Sequence, residues 1–192
     1  AARAARQAAG FGKGDPSVGR CAAEALAEDL REKKPGPLLI LGAGHTARSF
    51  GQAARGKGFH KIWISSRTLE RAQALADELA GETVGWNQWA EAARACGVLA
   101  SALRGGELAW EEVRPGTGPA ALVDLGVPRT LTRVRRSYPQ AVWLDLEELA
   151  KRSEVLPESL GSIHRAEEVL RAHERVWVNG GVRERSARGS EG

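Results

Sequence analysis

A short apolar run, Pro37-Leu38-Leu39-Ile40-Leu41, breaks into Gly42-Ala43-Gly44-His45-Thr46-Ala47, and this spacing is where the chain could do chemistry. In a strand-turn-helix setting Gly42 permits a tight turn, Gly44 lets backbone approach a pyrophosphate, and Ala47 lets the helix pack on the strand. Free N–H groups at the helix start would then face the phosphates. The same glycines would also suit an ordinary turn. Context favours the dinucleotide site: a helical pattern follows, and a second apolar strand, Lys61-Ile62-Trp63-Ile64-Ser65, ends about twenty residues on, where such a unit reads the ribose.

A carboxylate at the end of that second strand would hydrogen-bond the ribose hydroxyls of NAD and repel a 2′-phosphate. The sequence instead has Ser65, Ser66, Arg67 and Thr68 there, with Arg71 one turn on. Hydroxyl donors and a guanidinium able to grip phosphate bidentately and stack on adenine point to NADPH as cofactor. A solvent-facing arginine beside an ordinary helix cap is the alternative. His45 could set a partly charged imidazole against the cofactor, although solvent exposure is its plainer role. Ligands of parallel sheets lie beyond the carboxyl ends of the strands, so Ser101 and Ala102, continuing to Gly106, and Gly126 after a fifth strand are expected on the nicotinamide side. No residue of the chain is assigned a catalytic role.

These residues need a scaffold, and the alternation of patterns supplies one. Apolar strands are expected at 37–41, 61–65, 82–84, 96–101, 120–125 and 141–144, with helices between them. The expected fold is α/β: a Rossmann-like doubly wound parallel sheet with helices on both faces, plus flanking helices. Ser17 is suited to cap an entry helix with Val18, Cys21, Ala22, Ala25, Leu26 and Leu30 inward, which makes Cys21 a small buried hydrophobe. Ala47, Phe50, Ala53 and Ala54 form the inward face of the helix after the glycine turn. Thr68 is placed to cap a third helix with Leu69, Ala72, Leu75, Ala76 and Leu79 inward and Gly81 as its stop. Trp86 and Trp89 are expected to pack in the core.

The domain expectation is the end of a linker helix over 1–14, the dinucleotide domain over 15–150, and a C-terminal helical segment over 151–178 that begins a dimerisation region. Residues 179–192 are expected to be a disordered tail. The 42% hydrophobic and 27% charged content is that of a globular protein, and no apolar run approaches the roughly 18 residues of a membrane span. No signal-peptide pattern opens the chain, so a cytoplasmic location without membrane contact is expected. Cys21 and Cys96 have neither disulfide-framework nor metal-ligand spacing, and no metal site is indicated. A net charge of +4 suits an anionic partner such as a phosphorylated cofactor or RNA, or simply a solvated surface. The opening on Ala1 and the absence of methionine suit either loss of an initiator or a segment of a longer polypeptide.

Taken in order, several segments resemble the NADPH-binding domain of glutamyl-tRNA reductase. They are Gly14-Asp15-Pro16-Ser17-Val18, the glycine turn, Ser66-Arg67-Thr68-Leu69-Glu70-Arg71-Ala72 and Asp124-Leu125-Gly126-Val127-Pro128-Arg129. Shikimate dehydrogenase is similar around the Arg-Thr segment. The glutamyl-tRNA reductase resemblance implies a V-shaped homodimer in which a catalytic cysteine takes glutamate from glutamyl-tRNA as a thioester. NADPH reduces it to glutamate-1-semialdehyde for tetrapyrrole synthesis, and an aminomutase is the expected recipient. That cysteine lies in a Ser-Cys-Asn-Arg setting in the family, which nothing in this sequence matches, so the catalytic domain is expected to be absent from the chain. Gly97, the Ala102-Leu103-Arg104 run and Thr130 also depart from the family pattern. The alternatives are a non-catalytic nucleotide- or protein-binding regulatory module and, less favoured because no Lys-Asp pair from a substrate domain fits this length, a shikimate-type dehydrogenase.

Overall fold

Six strands pair in parallel into one sheet: β1 (Leu38–Leu41), β2 (Ile62–Ser65), β3 (Glu82–Thr83), β4 (Val98–Ser101), β5 (Ala121–Asp124) and β6 (Val142–Asp145). Their spatial order is β3-β2-β1-β4-β5-β6. This is a computed structural model, and it describes residues 17–31, 33, 36–110 and 118–152. All four residues of β1, β4 and β5 are buried, as expected for central parallel strands covered on both faces. Strand order reverses between β1 and β4, the crevice where doubly wound sheets hold ligands. The expected Rossmann-like architecture is the observed one.

Among the described residues six α-helices flank the strands: α1 (Val18–Asp29), α2 (His45–Gly56), α3 (Leu69–Glu78), α4 (Trp89–Ala95), α5 (Thr132–Ser137) and α6 (Leu146–Arg152). Alternation along β1 divides the core. Leu39 and Leu41 join Leu99, Leu122, Trp89, Trp110 and Tyr138 in one cluster. On the other face Ile40 meets α2 so closely that a methyl on Gly51 would stand 3.3 Å from its Cδ1.

Within the first cluster Trp89 and Trp110 lie 5.6 Å apart and Trp110 and Tyr138 6.1 Å apart, each tilted. The Trp110 indole N–H donates to Ser137 Oγ at 2.9 Å, so the ring is buried without stranding its polar atom. The packing role expected of Trp89 holds. Trp86 begins a 3-10 turn, Trp86–Gln88, that leads into α4, and it is only partly buried.

Helix α1 differs from its expected stripe. Gly19, Ala22, Ala23 and Leu26 are buried, whereas Cys21 is only half-buried. The cause is Gly19: a methyl there would lie 2.6 Å from the Phe50 amide nitrogen and 2.8 Å from the Thr46 carbonyl oxygen. The α1 and α2 backbones touch at this glycine, which turns the buried stripe toward it and Cys21 toward the edge. Ser17 caps α1 as expected, accepting from the Arg20 N–H at 3.3 Å, and its hydroxyl also bonds that of Ser49 on α2. Arg152 of α6 grips both carboxylate oxygens of Asp29 at 2.8 Å, tying α6 to the end of α1.

In α3, Leu69 is 60% exposed rather than inward, while Ala72, Leu75 and Ala76 are buried. Thr68 holds the cap position, but its side chain makes no capping bond; Ser66 Oγ instead accepts from the Thr68 N–H at 3.4 Å. The left-handed residue that ends α3 is Ala80, at φ 44°, not Gly81. Gly81 is required for another reason, since a methyl there would meet the Ile62 carbonyl oxygen at 2.6 Å. Helix α5 is not expected from its arginine-rich sequence; it forms because Val134 and Ser137 are buried against the tryptophan cluster. The linker helix over 1–14, the helical segment over 151–178 beyond Arg152, His164, His173 and the tail over 179–192 lie outside the described residues.

Replacing Gly19 by alanine should favour an isolated helix by roughly 1 kcal/mol. In this protein the change should instead destabilise by about 1–3 kcal/mol, because the new methyl meets backbone atoms that cannot rotate away. Urea denaturation of the two forms checks the sign.

Candidate dinucleotide site

Strand register places the polar ends of the sheet in one row. Leu41 pairs with Ser65 on one side and Ser101 on the other, Ser101 with Asp124, and Asp124 with Asp145. Each of these is the last residue of its strand, and all are buried. Four of the five are polar, so this edge must satisfy its own groups or offer them to something above it.

The glycine turn rises directly from that row. Gly42 has φ +106°, and a methyl on it would come within 3.1 Å of the Ala102 carbonyl oxygen, so conformation and space both call for glycine. Its N–H donates to the Ser65 carbonyl at 2.8 Å, and the Ala102 N–H donates to the Leu41 carbonyl at 2.9 Å. The turn is thereby fixed to β2 and to the β4 loop. Gly44 is the cap of α2 and has the opposite surroundings: a methyl there would meet nothing within 4 Å. Among the described residues no side chain caps α2, and no acidic residue sits in its first turn, so none of them takes up the N–H groups at its start. Ala47 is fully buried beneath them. His45 is exposed at the first position of α2 and Thr46 is half-buried. Uncapped N–H groups around an open glycine form an anion cradle, and a pyrophosphate fits it.

At the end of β2, Ser65 is fully buried and its Oγ has no hydrogen-bond partner. An orphaned hydroxyl at this position suits a group arriving from outside. Ser66 is half-buried, and Arg67, Thr68 and Arg71 are exposed. The Arg67 guanidinium reaches toward the β4 loop, with Nη2 3.5 Å from the Arg104 carbonyl oxygen. No carboxylate stands between Ser65 and Leu69.

The residues expected on the nicotinamide side divide. Ala102 is half-buried beside the turn, whereas Ser101 and Gly126 lie beneath the surface. Gly126 donates its N–H to Asp124 Oδ1 at 3.0 Å, and a methyl on it would meet the Thr130 side chain at 2.7 Å. Asp124, which carries no expected site role, organises this loop. Its Oδ2 accepts from the Thr130 and Leu131 N–H groups at 2.8 and 2.9 Å. Thr130 Oγ1 lies 3.1 Å from Asp124 Oδ1 and 2.6 Å from Ser101 Oγ. A carboxylate only accepts, so Thr130 donates to Asp124 and Ser101 donates to Thr130. The signal available in sequence was an aspartate ending a wholly apolar strand.

Beyond this loop Arg129 Nη2 contacts Asp145 Oδ2 and Glu147 Oε2, each at 2.8 Å. Asp145 also accepts from the Trp143 indole at 3.0 Å and from the Glu148 N–H at 2.8 Å, capping α6. Burial alone would raise the Asp145 carboxyl, but the Glu148 amide, the Trp143 indole and Arg129 outweigh it and hold it below its ordinary value. Asp124 goes the other way: burial outweighs its four donors and raises it.

Neither cysteine belongs to the site. Cys96 is buried ahead of β4, its thiol bonded to the Ala93 carbonyl at 3.3 Å and pushed up to about 12 by burial. Cys21 sits on α1, its thiol also raised, first by burial and then by Glu24. A thiol so held is a poor nucleophile.

The two aspartates should carry opposite pH signatures. Asp145 contributes stability present above the unfolded value of about 3.9 and lost as pH falls through its lower folded value. The Asp124 contribution is present below about 3.9 and lost as pH rises through its higher folded value. Urea titrations across the acid range should show the acid-side loss removed in Asp145→Asn. Asp124→Ala strips acceptors from buried N–H groups at about 1–3 kcal/mol each, so a total cost of about 3 kcal/mol or more is expected.

A family model described as Shikimate / quinate 5-dehydrogenase matches residues 22–152. Glutamyl-tRNA reductase of Methanocaldococcus jannaschii is 29% identical over 154 residues, covering 76% of this chain and 39% of that protein. The Thermus thermophilus glutamyl-tRNA reductase is 30% identical over 149 residues, covering 77% of this chain and 38% of that protein. The chain thus spans less than two-fifths of the length of either relative. The solved structure of Methanopyrus kandleri glutamyl-tRNA reductase superposes with a TM-score of 0.54 at 19% identity, over 84% of this chain and 44% of that one, and so shares the fold. With sheet order, glycine turn and matched residues in agreement, the chain belongs to the shikimate / quinate 5-dehydrogenase family, and its resemblance to glutamyl-tRNA reductase extends over three-quarters of its length.

Proposed function

We propose that this chain is the NADPH-binding module of a glutamyl-tRNA reductase. The observation that carries the cofactor is the open cradle at Gly44 with Arg67 exposed at the neighbouring strand end and no carboxylate beside it. The names and extent of the curated relatives support the reductase. The N–H groups at the start of α2 would hold the pyrophosphate, while Arg67 and Arg71 would hold the 2′-phosphate. Ser66 and Thr68 would donate to the same ribose. The cofactor, when bound, supplies one hydride, which converts a thioester carbonyl to an aldehyde and releases the thiolate.

The chain's own residues do the positioning. The Ser101-Thr130-Asp124 relay holds the loops after β4 and β5 at the crevice, and the covered face of Gly126 keeps water out beneath them. The thioester-forming thiol must be other than Cys21 or Cys96. On this reading the wider partners are glutamyl-tRNA presented by a catalytic domain, an aminomutase and a second copy of the chain. A shikimate-type dehydrogenase is the second reading, favoured by the family match, and it would use the same cradle.

Fluorescence titration should show NADPH bound well ahead of NADH. Loss of a charged hydrogen bond costs about 1.5–3 kcal/mol, so Arg67→Ala should weaken NADPH by roughly 10- to 100-fold and leave NADH little changed. Equal affinity of the native chain for the two cofactors overturns the assignment. Gly44→Asp separates site from fold. The aspartate caps α2 and should keep or raise Tm by the equivalent of a few tenths of a kcal/mol, while its charge abolishes NADPH binding. Shikimate-dependent reduction of NADP by the chain alone is expected to be absent, and its appearance would favour the dehydrogenase.

A further inference from the structure

At the edge of the sheet opposite the glycine turn, where β1 and β2 begin, the ends of α1 and α2 leave an open cleft of about 600 Å³. Arg31, Lys33, Lys57, His60 and Lys61 surround it, and all five are exposed. Leu30 and Phe59 form its nearly buried floor. Among the described residues no carboxylate lines it, and the ion pair its cations make is a loose one, Arg31 to Glu28 at 3.7 Å. Glu32 and Lys34, which complete the local sequence, cancel in charge.

Cations collect near helix C-termini because the last carbonyls carry partial negative charge. Here backbone donors already engage those carbonyls. The Lys57 N–H reaches Ala53 and Ala54, Gly58 reaches Arg55, Phe59 reaches Ala54, Leu30 reaches Leu26 and Lys33 reaches Leu30. His60 and Lys61 lie beyond the helix altogether. Helix capping therefore does not account for the charge of the cleft; Lys61 in addition stands 5.3 Å from the centroid of the Trp63 ring, a contact that leaves its ammonium charge in place.

We infer that this cleft docks the backbone phosphates of an RNA, which on the proposed function is the tRNA; the inference rests on that function for the identity of the RNA. A small phosphorylated ligand is commonly held by N–H groups at a helix N-terminus, as at Gly44. This cleft faces two helix C-termini and offers flexible point charges instead. Such contacts suit a sequence-independent track for a polyanion, with affinity that falls steeply as salt rises. The cleft and the cofactor cradle occupy opposite edges of one sheet, so phosphate backbone and cofactor do not compete for the same surface.

The test is fluorescence anisotropy of labelled, uncharged tRNA with the full chain. Lys33→Glu/Lys57→Glu/Lys61→Glu should weaken binding at least tenfold and reduce the slope of log K against log salt by about 2–3, at roughly 0.7–0.9 per phosphate contact. Arg20→Glu/Arg133→Glu/Arg136→Glu, equal in charge change but placed elsewhere, should weaken it far less. NADPH affinity of the cleft variant should match the native chain. Failure of the native chain to bind tRNA, equal losses in the two variants, or displacement of tRNA by inorganic phosphate beyond the effect of chloride at matched ionic strength would each overturn the inference. Failure of native NADPH binding would sink the proposed function and leave the phosphate contact standing or falling on the tRNA measurements.

Discussion

Parallel pairing in strict register is the constraint on which the rest depends. It brings Ser65, Leu41, Ser101, Asp124 and Asp145 into a single row at the carboxyl edge. Polar groups buried in such a row cannot be left to water. Asp124 and Asp145 are met by backbone N–H groups of the segments that follow, and in being met they fix those segments. Ser101 is met through Thr130. Ser65 alone in the row keeps an unpartnered side-chain oxygen, and it lies next to the glycine turn.

The same edge contrasts a fixed half with an open half. On the β4-β5 side hydroxyl and carboxylate form a closed relay, and Gly126 is covered. On the β1-β2 side the helix start is uncapped, Gly44 has space above it, and Arg67 is exposed. An anion cradle works only if its donors are not already used, and α2 has no side-chain cap to use them. The rigidity beneath comes from contacts too close for any side chain: Gly42 against the Ala102 carbonyl and Gly19 against the α2 backbone. The helix that presents the cradle is thus held from below by β1 and from the side by α1.

The opposite edge has the reverse polarity. Helices that present N-termini at one edge of a parallel sheet present C-termini at the other, and here the C-terminal edge gathers lysines and an arginine. Overall charge is modest, at +4, so the concentration of cations at one cleft is a property of placement rather than of composition.

Much of this was legible in the sequence because local patterns carry it. Continuous apolar tetrads separated by helical stripes specify a parallel sheet, Ser17 specifies a helix start, and the two glycines mark the tight turn and the uncapped start of α2. Local pattern is silent about contacts between distant segments. Leu69 and Cys21 fit inward stripes, yet Leu69 is exposed at the first position of α3, and Cys21 is only half-buried because α1 turns Gly19, not the cysteine, against the α2 backbone. Likewise nothing local links Ser101 of β4 to Thr130 and Asp124 until folding brings β4 beside β5. The residues themselves determined the strand-turn-helix unit and the absence of an acid at its ribose end. Only the tertiary structure decided which polar groups close on one another, which stay open to a ligand and where surface charge accumulates, since each depends on which segments come within hydrogen-bonding reach.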